Sequence, residues 1–387
     1  MFVSDTHLPQ LLPPEAYRNR GWHERELDRV LRPAWWAVAL VDEFPRDGDF
    51  ITFDHVDGPV ILRRSGGHIH GYRNVCAHRL AKLTSKPSGH CDMLRCDYHG
   101  WEYADSGATQ KIPDAPSFRP LEKGQLGLGT LRVETVGAIV FLSFDPTAAP
   151  VREWLGNYAA RIEDRFDAAS CMAWRADYDL PFNWKLLVEN NLESYHVGTV
   201  HAATLGAYPA EQACLHELSP GCSRFEAPGD PTWWGVVKRF LARRMGRPAD
   251  GRYVHCHVHP SFMWGETDLF VLFQSVVPTG PTTCRVSFRC LAWQSRQPPP
   301  LANVCTLAMV RRSLSIWQRI IAEDVAILPQ VQAGIESPRH PGPGLISRRE
   351  ERITHFQGWL LDRMGLDAPW PAKAAPSHSA HTQELVS

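Results

Sequence analysis

No apolar run in this 387-residue sequence reaches the roughly 18 residues that a membrane-spanning helix needs, so a spanning segment is not expected. Excess charge of one sign is also missing: 41 Lys and Arg balance 42 Asp and Glu, which offers a nucleic acid no overall attraction. The opening MFVSDTHLPQLLPPEAY has neither the basic start nor the apolar stretch of a secretory leader, and the expected location is the cytoplasm. In that compartment the ten cysteines are expected as reduced thiols, not as a disulfide framework. A Gly-rich nucleotide fingerprint and an internal repeat are both absent. What the chain has in quantity is His (18), Trp (14) and Pro (31), and His is the commonest metal ligand.

Length and pattern divide the chain. At roughly 150 residues per domain, two to three domains are expected. Residues 1–40 read as a proline-punctuated lead-in with one helix over HERELDRVL, ended by Pro33. Residues 41–148 alternate short apolar runs with Gly, Pro and Asp turns, the pattern of an all-β module. Residues 149–368 mix strands with helical segments around 183–202 and 310–328, so this part is α+β. A polar, aromatic stretch over 214–252 suggests a lid-like excursion, and the tail over 369–387 has too few apolar residues to order itself.

The all-β module holds the first constellation, Cys76-x-His78, then 17 residues, then Cys96-x2-His99. Two loops that each offer a thiolate and an imidazole suit either a four-coordinate zinc or a [2Fe-2S] cluster in which Cys and His ligate different irons. The spacing, with Tyr98 and Trp101 following in strand-and-turn sequence, favours the cluster. His90 and Cys91 lie between the loops without a partner at ligand spacing and read as a connecting turn.

The second constellation is FNWKLLVENNLESYHVGTVHAATL. Asn190, Glu193 and His196 follow one another at three-residue spacing, so a continuous helix would carry all three on one face. His201 would stand about 140° away from His196 on that helix, and a loosened turn at Gly198 is expected to bring the two rings together. Asp324, on a helix that Pro329 should kink or end, is the candidate third ligand, with Glu323 its rival. Two His and one carboxylate leave positions open for O2 and substrate at a non-haem Fe(II).

With both motifs in one chain the sequence resembles the α subunits of Rieske non-haem iron oxygenases. The family's NWK, EN, YH and H elements stand here as Asn183-Trp184-Lys185, Glu189-Asn190, Tyr195-His196 and His201, and the likeness runs on through Glu323–Gly334 to SRREERITHFQGWLL. The resemblance implies a Rieske domain followed by a helix-grip catalytic domain, a Rieske [2Fe-2S] cluster on Cys76, His78, Cys96 and His99, and a mononuclear Fe(II) on His196, His201 and Asp324. It further implies that Glu193 bridges the two centres by accepting hydrogen bonds from His196 and from His99 of a neighbouring subunit, in a ring of three. Asn190 stands beside it as a second candidate catalytic residue. Electrons would come from a separate NAD(P)H-dependent reductase or ferredoxin, and the substrates would be O2 and a small molecule.

Departures from the family pattern are Asp97 where Pro is usual and Leu80 where Gly is common. The spacing in ENNLESYH looks like the branch acting on quaternary ammonium compounds, with aromatic-ring hydroxylation as the alternative. A methylated cation favours an aromatic cage, for which Tyr208, Trp233, Trp234, Phe262 and Trp264 are candidates, although core packing is the simpler expectation for any one of them. His255, His257 and His259 alternate on a strand, where some should line a pocket and others meet solvent. A non-enzyme, a Rieske electron carrier or zinc-stapled binding protein, is the remaining reading, and the length of the second domain argues against it.

Overall fold

The computed structural model describes residues 1–167, 169–207, 209–295, 300–339 and 344–367; Tyr208 and the tail expected over 369–387 lie outside the described residues. The chain begins with a short strand, β1 (Leu8–Pro9), and helix α1 (Arg20–Glu26), whose N-terminus is capped by Asn19 accepting from the Trp22 N–H. Next come β2 (Trp35–Leu40), β3 (Asp49–His55), β4 (Gly58–Ser65), β5 (His68–Arg73), β6 (Ser88–His90), β7 (Leu94–Arg95), β8 (Glu102–Tyr103), β9 (Thr109–Lys111), β10 (Thr130–Val136) and β11 (Ile139–Ser143). Seven of these form one antiparallel sheet in the order β2-β11-β10-β5-β4-β3-β6, and β7-β8-β9 form a small sheet beside the cysteine loops.

Two short helices, α2 (Val151–Leu155) and α3 (Tyr158–Arg165), lead into the second half. There β12 (Ser170–Leu180), helices α4 (Trp184–Asn191) and α5 (Val197–Val200), β13 (Leu215–Ser219), β14 (Cys222–Pro228), α6 (Trp233–Arg244), β15 (Arg252–Val258), β16 (Phe262–Glu266), β17 (Phe270–Gly280) and β18 (Thr283–Trp293) follow in turn. The long α7 (Pro300–Glu336), β19 (Leu345–Ile346) and α8 (Glu351–Met364) complete it, and β19 pairs with β1. The second sheet is antiparallel with the order β12-β18-β17-β16-β15-β14-β13. The result is α+β: an N-terminal Rieske-type sheet domain and a sheet gripped by helices.

Both faces of the central strands are covered, which is why their sequences read as nearly unbroken apolar runs. On β17, Phe270, Leu272 and Val276 join the core under the helices, whereas Val271 and Phe273 join the core shared with α2, α3 and the first sheet. Phe141 of β11 meets Phe262 of β16 edge-on across that junction, with ring centroids 5.6 Å apart. Although α1 precedes the first sheet in sequence, it is fastened to the second domain. Glu26 accepts from Lys185 Nζ (2.7 Å) and Trp184 Nε1 (3.1 Å) where both chains are buried.

Several expectations need correction. The 214–252 excursion is a hairpin extending the sheet edge, β13 with β14, followed by helix α6. Pro329 does not end its helix: α7 continues to Glu336 because a proline costs a helix one hydrogen bond and a local clash, which packing along α4, β12 and β18 offsets. His255, His257 and His259 are all buried, since α8 covers their side of β15 with Phe356 and Trp359, and none meets solvent.

Candidate active site and metal centres

The cysteine loops close in parallel ways. The Leu80 N–H donates to Cys76 O (3.1 Å) and the Gly100 N–H to Cys96 O (3.0 Å), so each loop turns back on its own cysteine. Both turning residues are left-handed, with φ of 61° at Leu80 and 70° at Gly100. A left-handed Gly is unstrained; Leu80 adopts the same conformation at a cost of about 1 kcal/mol or more. That explains why glycine is the commoner residue there. Asp97 is exposed and its N–H donates to Leu83 O (2.9 Å), a bond that Pro could not make.

Cys76 and Cys96 are buried, at 2% and 1% exposure, and their thiols lie within hydrogen-bonding range of each other. Tyr103 OH is 3.0 Å from Cys76 Sγ. The imidazoles of His78 and His99 stand together on the outer side, centroids 4.7 Å apart, with Trp101 stacked on His78 and Tyr98 leaning on the exposed His99. Two adjacent thiols below two adjacent imidazoles fit a [2Fe-2S] cluster with each ligand pair on its own iron. The orphaned His78 Nδ1, buried with no hydrogen-bond partner, is consistent with a ligating atom. His90 is bound to Asp49 (3.0 Å) and takes no part.

The second centre departs from the continuous helix expected. Helix α4 starts at the Asn183 cap, which accepts from the Lys185 N–H, and stops at Asn191. Glu193 then accepts the backbone N–H groups of Tyr195 and His196, replacing the carbonyls that a continuing helix would have supplied. His196 and His201 are the two cap residues of the single turn α5, and Gly198 lies inside that turn. Flanking a turn, the rings come within 5.0 Å, centroid to centroid, with Nε2 atoms 3.2 Å apart.

Asp324 Oδ1 completes the group, 3.1 Å from His201 Nε2 and 3.5 Å from His196 Nε2. Behind each ring stands another carboxylate. Glu193 accepts from His196 Nδ1–H, and Glu323 accepts from His201 Nδ1–H (2.8 Å) and from Thr204 Oγ1 (2.8 Å). Glu323 is thus complementary to Asp324, not its rival, and adjacency in sequence was the signal available for it.

With Nδ1 protonated on both rings, two Nε2 lone pairs and a carboxylate oxygen face one another, and Asp324 Oδ1 is buried without a hydrogen bond. Such a set repels itself unless a cation sits in it. Burial disfavours a charged His201, yet Asp324 and Glu323 hold its pKa above the ordinary value, which shows the same demand for positive charge. The three donor atoms lie within 4.8 Å of one another and fit a mononuclear metal with open positions.

The remaining candidates are dispersed. The side chain of Asn190, in the last turn of α4, makes no hydrogen bond among the described residues, while its neighbour Asn191 accepts from Gln274 Nε2 of β17 (2.6 Å). Trp233 and Trp234 are exposed on α6, and Phe262 and Trp264 are buried in the core on the opposite side of the sheet, so these four build no common cage. The aromatic residue on the α7-covered side of β15 is Tyr253, its ring centroid 5.9 Å from that of Trp317. No sequence signal singled it out, because only the sheet register sets which side it takes.

The Rieske [2Fe-2S] domain family matches residues 34–130, and the family described as the ring hydroxylating alpha subunit (catalytic domain) matches residues 167–366. Chloroplastic choline monooxygenase of Arabidopsis thaliana is 28% identical over 92% of this chain and 83% of its own length. The anthranilate 1,2-dioxygenase large subunit of Burkholderia cepacia is 31% identical over 51% of this chain and 50% of its own. Among solved structures, the quaternary ammonium Rieske monooxygenase CntA in complex with L-carnitine superposes with a TM-score of 0.74 at 19% identity, covering 93% of this chain and 96% of that one. These relatives are oxygenases, so the electron-carrier and zinc-protein readings fall. This chain belongs to the ring-hydroxylating α-subunit family: it is a Rieske oxygenase α subunit, an oxidoreductase whose two domains imply a Rieske cluster and a mononuclear iron.

Proposed function

We propose that the chain oxidises a quaternary or N-methylated amine, by hydroxylation or oxidative N-demethylation, at an iron held by His196, His201 and Asp324. The observation that carries this reading is the near full-length relation to choline monooxygenase, against a relation over about half the chain for anthranilate dioxygenase. The latter's higher identity favours the second reading, hydroxylation of an aromatic ring.

A bound Rieske cluster on Cys76, His78, Cys96 and His99 would deliver single electrons, and bound Fe(II) would activate O2. The side chains prepare for that chemistry. Glu193 and Glu323 fix the Nδ1–H tautomers and aim both Nε2 lone pairs inward, while Asp324 supplies the anionic third ligand. Asn190 stays in the proposal as a residue near the bridge, through its place in the last turn of α4.

A ring of three copies belongs to this proposal. The exposed His99, Tyr98 and Leu80 make a partly apolar rim over the cluster loops, and exposed Tyr195 stands beside Glu193, so the two surfaces suit pairing between copies. A separate NAD(P)H-dependent reductase or ferredoxin supplies electrons in this reading, which the lack of a Gly-rich nucleotide fingerprint in the sequence supports. The ten free cysteines suit a reducing, cytoplasmic setting, and among the described residues no helix is long and apolar enough to cross a membrane.

The test is low-temperature EPR with iron and sulfide analysis of anaerobically reduced protein, then a single turnover with O2 over a panel of quaternary amines and aromatic acids. A rhombic Rieske signal, iron and sulfide at about three to two, and consumption of an amine are expected. Consumption of aromatic acids alone selects the second reading, and zinc without sulfide overturns both.

A further inference from the structure

Helix α8 buries a guanidinium for which the described residues supply no acid. Arg352 is 1% exposed. Its Nε donates to Ser223 Oγ (3.0 Å), its Nη2 to Ser223 O (3.4 Å) and to His255 Nδ1 (3.1 Å), and its Nη1 makes no hydrogen bond among the described residues. Buried arginines are ordinarily matched by a carboxylate, because an unpaired charge in the interior is costly. Among the described residues no Asp or Glu pairs with Arg352. Burial lowers its pKa only to about 10, so it stays charged at neutral pH.

Its neighbours are also donors in want of an acceptor. Because Nη2–H donates to Nδ1, the proton of neutral His255 must be on Nε2, and that atom is buried without a partner. Burial and the charge of Arg352 both keep this imidazole neutral. Tyr253, half-buried and two residues earlier on the same side of β15, makes no hydroxyl hydrogen bond among the described residues. Three groups with a donor to spare thus lie on one side of β15, and of these His255 Nε2 is fully buried without an acceptor.

The place of this group links it to the iron site. Tyr253 packs against Trp317, two turns before Asp324 on α7, and feels the charges of both Arg352 and Asp324. Glu350, two residues before Arg352, lies in the field of Glu193 and His196. The cluster therefore faces the same helix-covered side of the sheet as the metal ligands.

We propose that Arg352, His255 and Tyr253 form a receptor for a carboxylate carried by the substrate. The inference rests on the reading of His196, His201 and Asp324 as the oxidising centre, and it deepens that reading by naming the substrate class. A carboxylate accepting from Arg352 Nη1, His255 Nε2–H and the Tyr253 hydroxyl supplies the absent counter-ion and orients the rest of the molecule toward the iron ligands. A cation lacking an acid group meets an uncompensated guanidinium and is disfavoured.

The experiment is anaerobic calorimetry on the holoenzyme with two matched pairs: (trimethylammonio)acetate against (2-hydroxyethyl)trimethylammonium, and benzoate against benzyl alcohol. In at least one pair the acid should bind roughly tenfold or more tightly than the alcohol, as expected for charge-assisted hydrogen bonds to a buried partner. Arg352→Met should abolish that preference and Arg352→Lys should keep part of it. If the methionine variant does not fold, Tyr253→Phe, which removes one hydroxyl, should still lower the acid-to-alcohol ratio several-fold. Equal binding within both pairs, no saturable binding of either acid, a ratio untouched in the Lys and Phe variants, or chloride or phosphate binding as tightly as the acids would each overturn the receptor. Binding is read without turnover, so failed oxidation with intact acid selectivity refutes the iron-site reading and leaves the receptor standing.

Discussion

Glu189 sits in the last part of α4, and its carboxylate is buried in a cluster with Glu26 and Lys185. Lys185 is already paired with Glu26, so an ionised Glu189 leaves the cluster with a net negative charge, and one proton makes it neutral. Burial accordingly pushes its pKa up from 4.5 to about 7, against the pull of hydrogen bonds from Gln357 and Tyr17. At about 1.36 kcal/mol for each tenfold in proton affinity, that gap is worth roughly 3 kcal/mol. The folded pKa is above the unfolded one, so this stability is fully present below pH 4.5 and is lost as pH rises through 7. In Glu189→Gln the amide oxygen can still accept from Tyr17 OH and Gln357 Nε2, which now donate at 2.7 and 2.8 Å. The variant should therefore be more stable than wild type at pH 8.5, by up to about 3 kcal/mol, with no advantage at pH 5. Urea midpoints of both proteins across this range isolate the effect, because other groups titrate equally in each. An unchanged wild-type-minus-variant difference from pH 5 to 8.5 refutes the reasoning.

Asp324→Ala should lose the mononuclear iron while sulfide stays, whereas Glu323→Gln should keep iron with about 10- to 100-fold weaker binding, since it only steadies His201; metal analysis after mild chelation separates them. Cys76→Ser should abolish the rhombic EPR signal and leave the iron at His196 in place, while Cys91→Ser, on the connecting turn, should alter neither. His259 is buried with both ring nitrogens unpaired among His257, His355, Phe356 and Trp359, so His259→Phe should stabilise the protein by about 1 kcal/mol at pH 7.5. Burial holds this His well below its ordinary pKa, so its contribution is lost as pH falls below 6.5; the gain in urea midpoint should be larger at pH 5, and a smaller gain there would contradict the assignment.

Both candidate metal sites were legible in the sequence because the residues proposed as ligands come largely in local clusters. Cys76 with His78, Cys96 with His99, and His196 with His201 are each a few residues apart, and a loop or a single turn is enough to present them. That the rings of His196 and His201 meet was legible, but the break of the helix between Asn191 and His196 was not. A three-residue spacing suits a helix equally well, and the choice against it came from Glu193 taking two backbone N–H groups for itself. The aromatic candidates failed for a different reason: Phe262 and Trp264 lie on a strand whose register sends them to the core side, and Trp233 lies on a helix that turns it to solvent.

By itself the sequence determined the candidate ligand residues, their loops and the order of two domains, all properties of short segments with strong local chemistry. The tertiary structure alone decided that Asp324 and Glu323 divide the two ends of His201, and that Arg352 and His255 meet without an acid between them. Those pairs are separated by about a hundred residues or more, and only the packing of α7 and α8 on the sheet brings them into contact. Buried polar groups gain or lose by distances of an ångström, which no spacing along the chain encodes.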